Sequence, residues 1–197
     1  MNIILTAHRP YCLAQFACSV KKLDNIFWYL STMVVSEGML KWVMRLYPPL
    51  LFQRIWVVKF DKGYKGVEVR IKKSFLNKNY NRSIFGGTIF AAADPFYPLL
   101  FHQLFSHKGY KLIAWSKSSA IQYIKPGLTD LHFKISLNDD DIAAAETILN
   151  TVGKYTGHYP IDIYNKDGEI CVSLLNEVYV RNLNFVDTNV SPTDDRW

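Results

Sequence analysis

A chain of 197 residues, 49% hydrophobic and 20% charged, is long enough for one domain with one sizeable core, and its composition is that of an ordinary soluble protein rather than a fibrous or disordered one. The net charge is +6, but the lysines are scattered, which argues against a nucleic-acid tract and leaves solubility, or attraction to a phosphorylated small ligand such as coenzyme A. Three cysteines, Cys12, Cys18 and Cys171, argue by number and spacing against a disulfide framework or a zinc site and fit a reducing compartment, so a cytoplasmic protein is expected.

Residues 1–36 read as an N-terminal extension. They show no clean period and no secretory leader pattern, and Met33 is a candidate start. From Glu37, the residues Met39, Leu40, Val43, Leu46 and Tyr47 repeat at helical spacing, and Pro48-Pro49 ends or kinks that helix. Residues 55–60 read as a strand, 61–66 as a turn, and Val67, Val69 and Ile71 alternate with Glu68, Arg70 and Lys72 as the second strand of a hairpin. After a polar loop over 77–82, residues 88–105 are apolar nearly all round, which requires a helix buried on most sides. This stretch holds Asp94, Pro95 and Pro98, so it is not a membrane span.

Three further strands follow, over 112–125, 131–137 and 170–180. A fourth, over 155–164, lies before the last and is turned by Asn165-Lys166-Asp167-Gly168. Between the second and third of these four, Asn138 can cap a helix whose first turn is Asp139-Asp140-Asp141 and whose inner stripe is Ile142, Ala145, Leu149 and Val152. Residues 182–197 read as a polar tail. One helix buried all round among antiparallel strands implies an α+β fold with a sheet wrapped around that helix, over residues 37–181.

Asp94 is the only charged residue between Gly86 and Phe101. A carboxylate in apolar surroundings must be paired, protonated or functional. Gly86 and Gly87 let another group approach the backbone at the helix start, where free N–H groups and the positive dipole end stabilise a carbonyl oxygen gaining charge. A carboxylate near a polarised carbonyl suggests acyl transfer. The alternative is that Asp94-Pro95 is an N-cap followed by proline at the first position of a second helix, and that Asp94 only caps.

The segment from Asn79 through Phe85-Gly86-Gly87 to Asp94 resembles the signature of phenylacetate-type (PaaI-like) hotdog thioesterases. That signature has an Asn, a His-Gly-Gly six residues on, and an Asp seven residues after the second Gly. Residues 120–127, ending in Lys125-Pro126-Gly127, resemble the strand that ends in Arg- or Lys-Pro-Gly in that family. The helical insertion and the Asp-Pro resemble a little-characterised branch of the same superfamily. The resemblance covers roughly residues 38–181.

It implies a sheet around a long central helix, a homodimer or dimer of dimers with sites at the interface, and hydrolysis of acyl-CoA thioesters without a cofactor. It implies Asp94 as base or nucleophile, the Gly87 N–H as oxyanion donor, and Asn79 and Ser116 as assisting groups, with Ser118 a substitute for Ser116. Phe85 stands where the family has His and cannot donate a hydrogen bond. It thereby favours a rival reading, a non-catalytic binder of acyl-CoA or an acyl carrier. Arg82, Lys117 and Lys125 are candidates for the phosphates of the substrate, and Phe85, Gly86 and Ser118 for its body.

None of the five histidines sits at a metal-ligand spacing. His102 is expected to be a hydrogen-bonded core residue. Trp56 and Trp115 are expected in the core, with an acyl tunnel as the alternative.

Overall fold

Strand alternation places most of the chain. The computed structural model describes residues 34–185. Most of the expected extension and tail, Met33 included, lies outside the described residues. Helix α1 (Glu37–Leu46) is capped by Ser36, whose side chain accepts from Met39 N–H, and Pro48 opens a short second helix, α2 (Pro48–Phe52). The hairpin follows as β1 (Ile55–Phe60) and β2 (Gly66–Ile71). The apolar segment forms α3 (Gly86–Ala93) and α4 (Phe96–His107). Then come β3 (Leu112–Tyr123), β4 (Leu131–Ser136), α5 (Asp139–Thr151), β5 (Lys154–Asn165) and β6 (Ile170–Asn182). Asn138 caps α5 as expected, its Oδ1 accepting from Asp141 N–H at 2.6 Å.

The strands form one antiparallel sheet in the order β1-β2-β4-β5-β6-β3. Its inner face packs on α3 and α4, where Phe96, Leu100, Phe101 and Phe105 are fully buried. This is the α+β hotdog arrangement, an antiparallel sheet around a long bent helix. Strands β4 and β5 pair only at Leu131–Asn165 and His132–Tyr164. A cavity of about 530 Å³ is lined by residues of both, and there Tyr97 O–H donates to the C=O of Pro160 at 3.0 Å.

The bend between α3 and α4 follows from proline chemistry. Pro95 and Pro98 lack N–H groups, so the Ala91 and Asp94 carbonyls lose the donors that helix continuation would supply. Side chains from the sheet meet the carbonyls at the bend. Ser116 Oγ–H donates to Asp94 C=O at 2.9 Å, and buried Asn176 donates through Nδ2 to Ala93 C=O at 3.3 Å.

Several expectations are corrected. Of the residues that repeat at helical spacing in α1, Leu40 is buried, together with Met44, while Met39, Leu46 and Tyr47 are exposed. Val152 lies past the end of α5 and is exposed. Trp115 is exposed on its strand, and Trp56 is half-buried beneath Arg45 and Lys72. His102 is half-buried on α4, but its Nδ1 has no hydrogen-bond partner among the described residues, and burial holds its pKa below the usual 6.5. No helix among the described residues is long and apolar enough to cross a membrane.

Candidate active site

Two glycines begin α3 because the chain there is held tightly on both sides. Phe85 N–H donates to Asn77 C=O at 2.7 Å, and Ile84 N–H donates to Gly127 C=O at 2.9 Å, so the loop is strapped to the Pro126-Gly127 turn. A Cβ on Gly86 would meet the Tyr123 ring at 3.0 to 3.3 Å, and one on Gly87 would meet the Phe85 ring at 2.4 Å. Tyr123 O–H donates to Gly86 C=O at 3.0 Å. The first intrahelical bonds of α3 come from Thr88 and Ile89, both to Phe85 C=O. The Gly86 and Gly87 N–H groups therefore have no intrahelical acceptor and form the positive end of the helix.

Gly87, Phe90, Ala91 and Asp94 fall at i, i+3, i+4 and i+7, one face of the helix. They are also the more accessible positions of this stretch, whereas Thr88, Ile89, Ala92 and Ala93 are buried. Asp94 has helical φ/ψ of −59° and −50° and follows α3, with its N–H bonded to Phe90 C=O. The residue before α4 is Pro95, and no side chain caps that helix. The capping alternative is thus corrected: an N-cap needs extended backbone and a side-chain bond to the following turn, and Asp94 has neither. Its carboxylate is half-buried, with no hydrogen-bonding or ionic partner among the described residues.

Ser116 reaches the same place from β3, through the Asp94 carbonyl rather than the carboxylate. Ser118 does not. A β-bulge at Lys117 shifts the register between Ser116 and Ser118. It turns both Lys117 and Ser118 to the outer face, where Lys117 Nζ and Ser118 O–H donate to Glu177 at 2.9 and 2.6 Å. These bonds hold the Glu177 carboxyl below its usual 4.5, Ser118 acting first and Lys117 second.

Past the bulge the inward positions are Ser119, Ile121 and Tyr123. Simple alternation from Ser116 misses all three, because nothing in Ser116-Lys117-Ser118 marks a bulge as Gly or Pro would. Tyr123, beside Gly86, is the site residue that sequence reasoning did not find.

The remaining candidates are dispersed. Asn79 Oδ1 accepts from Ser83 N–H at 3.2 Å and Ser83 O–H at 3.1 Å, which folds the loop before the helix and leaves the Nδ2 group unused. Arg82 is exposed in that loop at φ 62°. Lys125 is paired with Glu169 at 2.7 Å, which raises its own pKa and lowers that of Glu169. Phe85 is exposed, its ring beside Gly87. No group of His, Cys, Asp and Glu among the described residues is placed to hold a metal ion.

Residues 36–180 match a family model described as Domain of unknown function (DUF4442). No curated protein sequence matches the chain. Among solved structures, it is similar to a protein of unknown function from Pseudomonas aeruginosa named as a probable thioesterase, at 16% identity and a TM-score of 0.68. That match covers 77% of this chain and 99% of the other. A protein of unknown function from Chlorobaculum tepidum matches at 14% identity and TM-score 0.63, over 74% and 93%. A thioesterase from Haemophilus influenzae matches at 12% and 0.56, over 78% and 96%. At such identities the likeness is one of fold.

Proposed function

The chain belongs to the DUF4442 family, and from that premise we propose that it hydrolyses acyl thioesters, of the acyl-CoA kind, at a site shared by two copies of the chain. The observation that carries this reading is the accessible stripe of Gly87 and Phe90, exposed, and Ala91 and Asp94, half-buried. Seven residues of helix separate Gly87 from Asp94, about 10 Å along the axis. Oxyanion donor and attacking group must each come within about 3 Å of the thioester carbonyl. One helix therefore cannot supply both to the same carbonyl. Two helices crossing antiparallel about a twofold axis can, with Gly87 of one copy opposite Asp94 of the other.

In this reading the Gly87 N–H stabilises the oxygen as it gains charge. Asp94 attacks the carbonyl carbon, or takes a proton from water that attacks it, and the thiolate leaves. Ser116 is a positioning residue acting through the Asp94 carbonyl. The unused Nδ2 of Asn79 is a donor for water or substrate. Of the three cations expected at the phosphates, Arg82 alone has no carboxylate partner among the described residues.

Phe85 supports a second reading, binding without turnover, because it stands directly before the glycine pair, with its ring against Gly87, and cannot donate a hydrogen bond. A thiol-release assay across acyl-CoA chain lengths separates the two. The hydrolytic reading expects turnover in the wild type and a loss of at least about 100-fold in Asp94→Asn, with folding and ligand binding retained. Binding without thiol release in the wild type leaves the second reading standing.

A further inference from the structure

Charge is unevenly divided along the chain. Residues 38–60 and 69–93 contain no Asp or Glu and carry four and five Lys or Arg respectively. The fold brings the basic parts of the two stretches, 41–54 and 72–78, together ahead of the helix that carries the Asp94 stripe. Lys72 N–H donates to Arg54 C=O at 3.0 Å, and Asn77 Nδ2 donates to Gln53 C=O at 2.8 Å, so the 72–77 loop is tied to the end of α2. Arg45 lies over the rings of Trp42 and Trp56 at 4.9 and 4.4 Å, and Lys72 over Trp56 at 5.5 Å, a run of alternating rings and cations that joins α1 to the loop.

This surface also holds apolar side chains with no internal role. Phe75 is 80% exposed, Phe52 69%, and Trp42, Leu46 and Leu76 are each more than half exposed. Trp42 and Leu46 belong to the second apolar stripe of α1, the one turned away from the core. Lys41, Arg45, Arg54, Lys72 and Lys78 have no carboxylate partner among the described residues. Of the other cations in the two stretches, Lys59 pairs with Asp61 at 3.4 Å, and the backbone N–H of Lys73 donates to Asp130 at 2.9 Å. An acidic partner or a nucleic acid accounts for the cations but not for five exposed apolar side chains among them. A purely apolar protein face accounts for the reverse.

We infer that this face docks on an anionic lipid bilayer, Phe52, Phe75 and Trp42 entering the headgroup boundary while the lysines and arginines meet lipid phosphates and carboxylates. The chain reaches the active-site helix directly from this surface: Asn77 C=O accepts from Phe85 N–H at the head of α3. Docking thus places the mouth of the site near lipid. The inference stands independently of the hydrolytic reading, since binding to vesicles is measured without turnover.

The test is flotation of the full chain with vesicles of phosphatidylcholine alone and of phosphatidylcholine mixed with phosphatidylserine, at low and high salt. Binding is expected to the mixed vesicles at low salt and to weaken as salt rises. Each basic residue near such a surface contributes about fivefold in partitioning. Lys41→Gln/Arg54→Gln/Lys78→Gln is therefore expected to lose on the order of 100-fold. Phe52→Ser/Phe75→Ser should reduce binding at both salt concentrations.

Three results would overturn the inference. The first is no flotation with anionic vesicles. The second is loss in the charge variant alone, with the double Phe variant unchanged, which marks non-specific adsorption of a basic protein. The third is unchanged flotation together with a change of oligomeric state in the Phe variant, which marks the patch as a contact between copies of this chain.

Discussion

Strands β1 and β3 both end the sheet, but only β1 has its outer edge engaged from within the described chain. Arg45 on α1 donates through Nε to Val57 C=O at 2.7 Å and reaches Val58 C=O from Nη2 at 3.4 Å, while its guanidinium covers Trp56. Strand β3 is twice as long, 12 residues against 6, and hydrogen-bonds only β6. Its side chains are largely accessible, Ile113, Trp115 and Tyr123 among them. An open strand edge is a template for pairing, and proteins that remain monomeric commonly cover or interrupt such edges. The covered edge lies by the basic, aromatic surface, and the open one runs beside the Gly87–Asp94 stripe. On the proposed shared-site reading, the β3 side is where a second copy would complete the site.

Three perturbations sharpen this comparison. The largest effect is expected from Phe90→Glu on the β3 side. Phe90 lies on the stripe between Gly87 and Asp94 and is not part of the buried core. A charge buried without a partner between two copies should weaken self-association by on the order of 100-fold or more, with turnover lost and the monomer still folded. Light scattering and circular dichroism check both halves, and an unchanged dimer would remove this stripe from the interface.

On the β1 side, Arg45→Ala should leave the oligomeric state alone and lower stability by about 1–2 kcal/mol, through lost bonds to two carbonyls and lost stacking on Trp56. A shift of the urea midpoint is the readout. A change in oligomeric state instead would contradict the division between the edges.

The smallest effect concerns the bulge of β3, held by Ser118 and Lys117 on Glu177. A carboxyl whose folded pKa lies below its unfolded value stabilises the fold above the unfolded value, 4.5, and loses that contribution as pH falls through the lower folded one. Ser118→Ala should therefore lower stability slightly above about pH 4.5, with the gap to the wild type closing as pH falls through the lower folded value. Identical acid unfolding curves would show that the bulge is held otherwise.

How far the sequence could be read depends on whether a local signal was present. The alternation in 131–137, the Asn138 cap with its acidic first turn, and the glycine pair before Asp94 each carry their own physical reason, and each stands where it was read. Helix α1 stands as read, but it has two apolar stripes, and periodicity alone does not say which faces the core. The bulge at Lys117 has no residue signature, so Ser118 was grouped with Ser116 and Tyr123 was passed over. The capping alternative for Asp94 was sound local chemistry. Pro98 overrides it: by lacking an N–H it leaves the Asp94 carbonyl to Ser116 and bends the helix after Asp94.

The central claim, a site built from Gly87 of one copy and Asp94 of another, is tested most directly by mixing two inactive variants. Asp94→Asn removes the attacking group. Gly87→Pro removes the N–H in the first helical turn, and its ring requires the exposed Phe85 side chain to swing aside. Unfolded together and refolded at equal amounts, the two chains form mixed dimers in which one of the two sites retains both intact groups. Thiol release should return to about a quarter of the wild-type rate, although neither variant alone is active. No recovery on mixing, with mixed dimers verified by differential tags, would contradict the shared site and place the chemistry within a single chain.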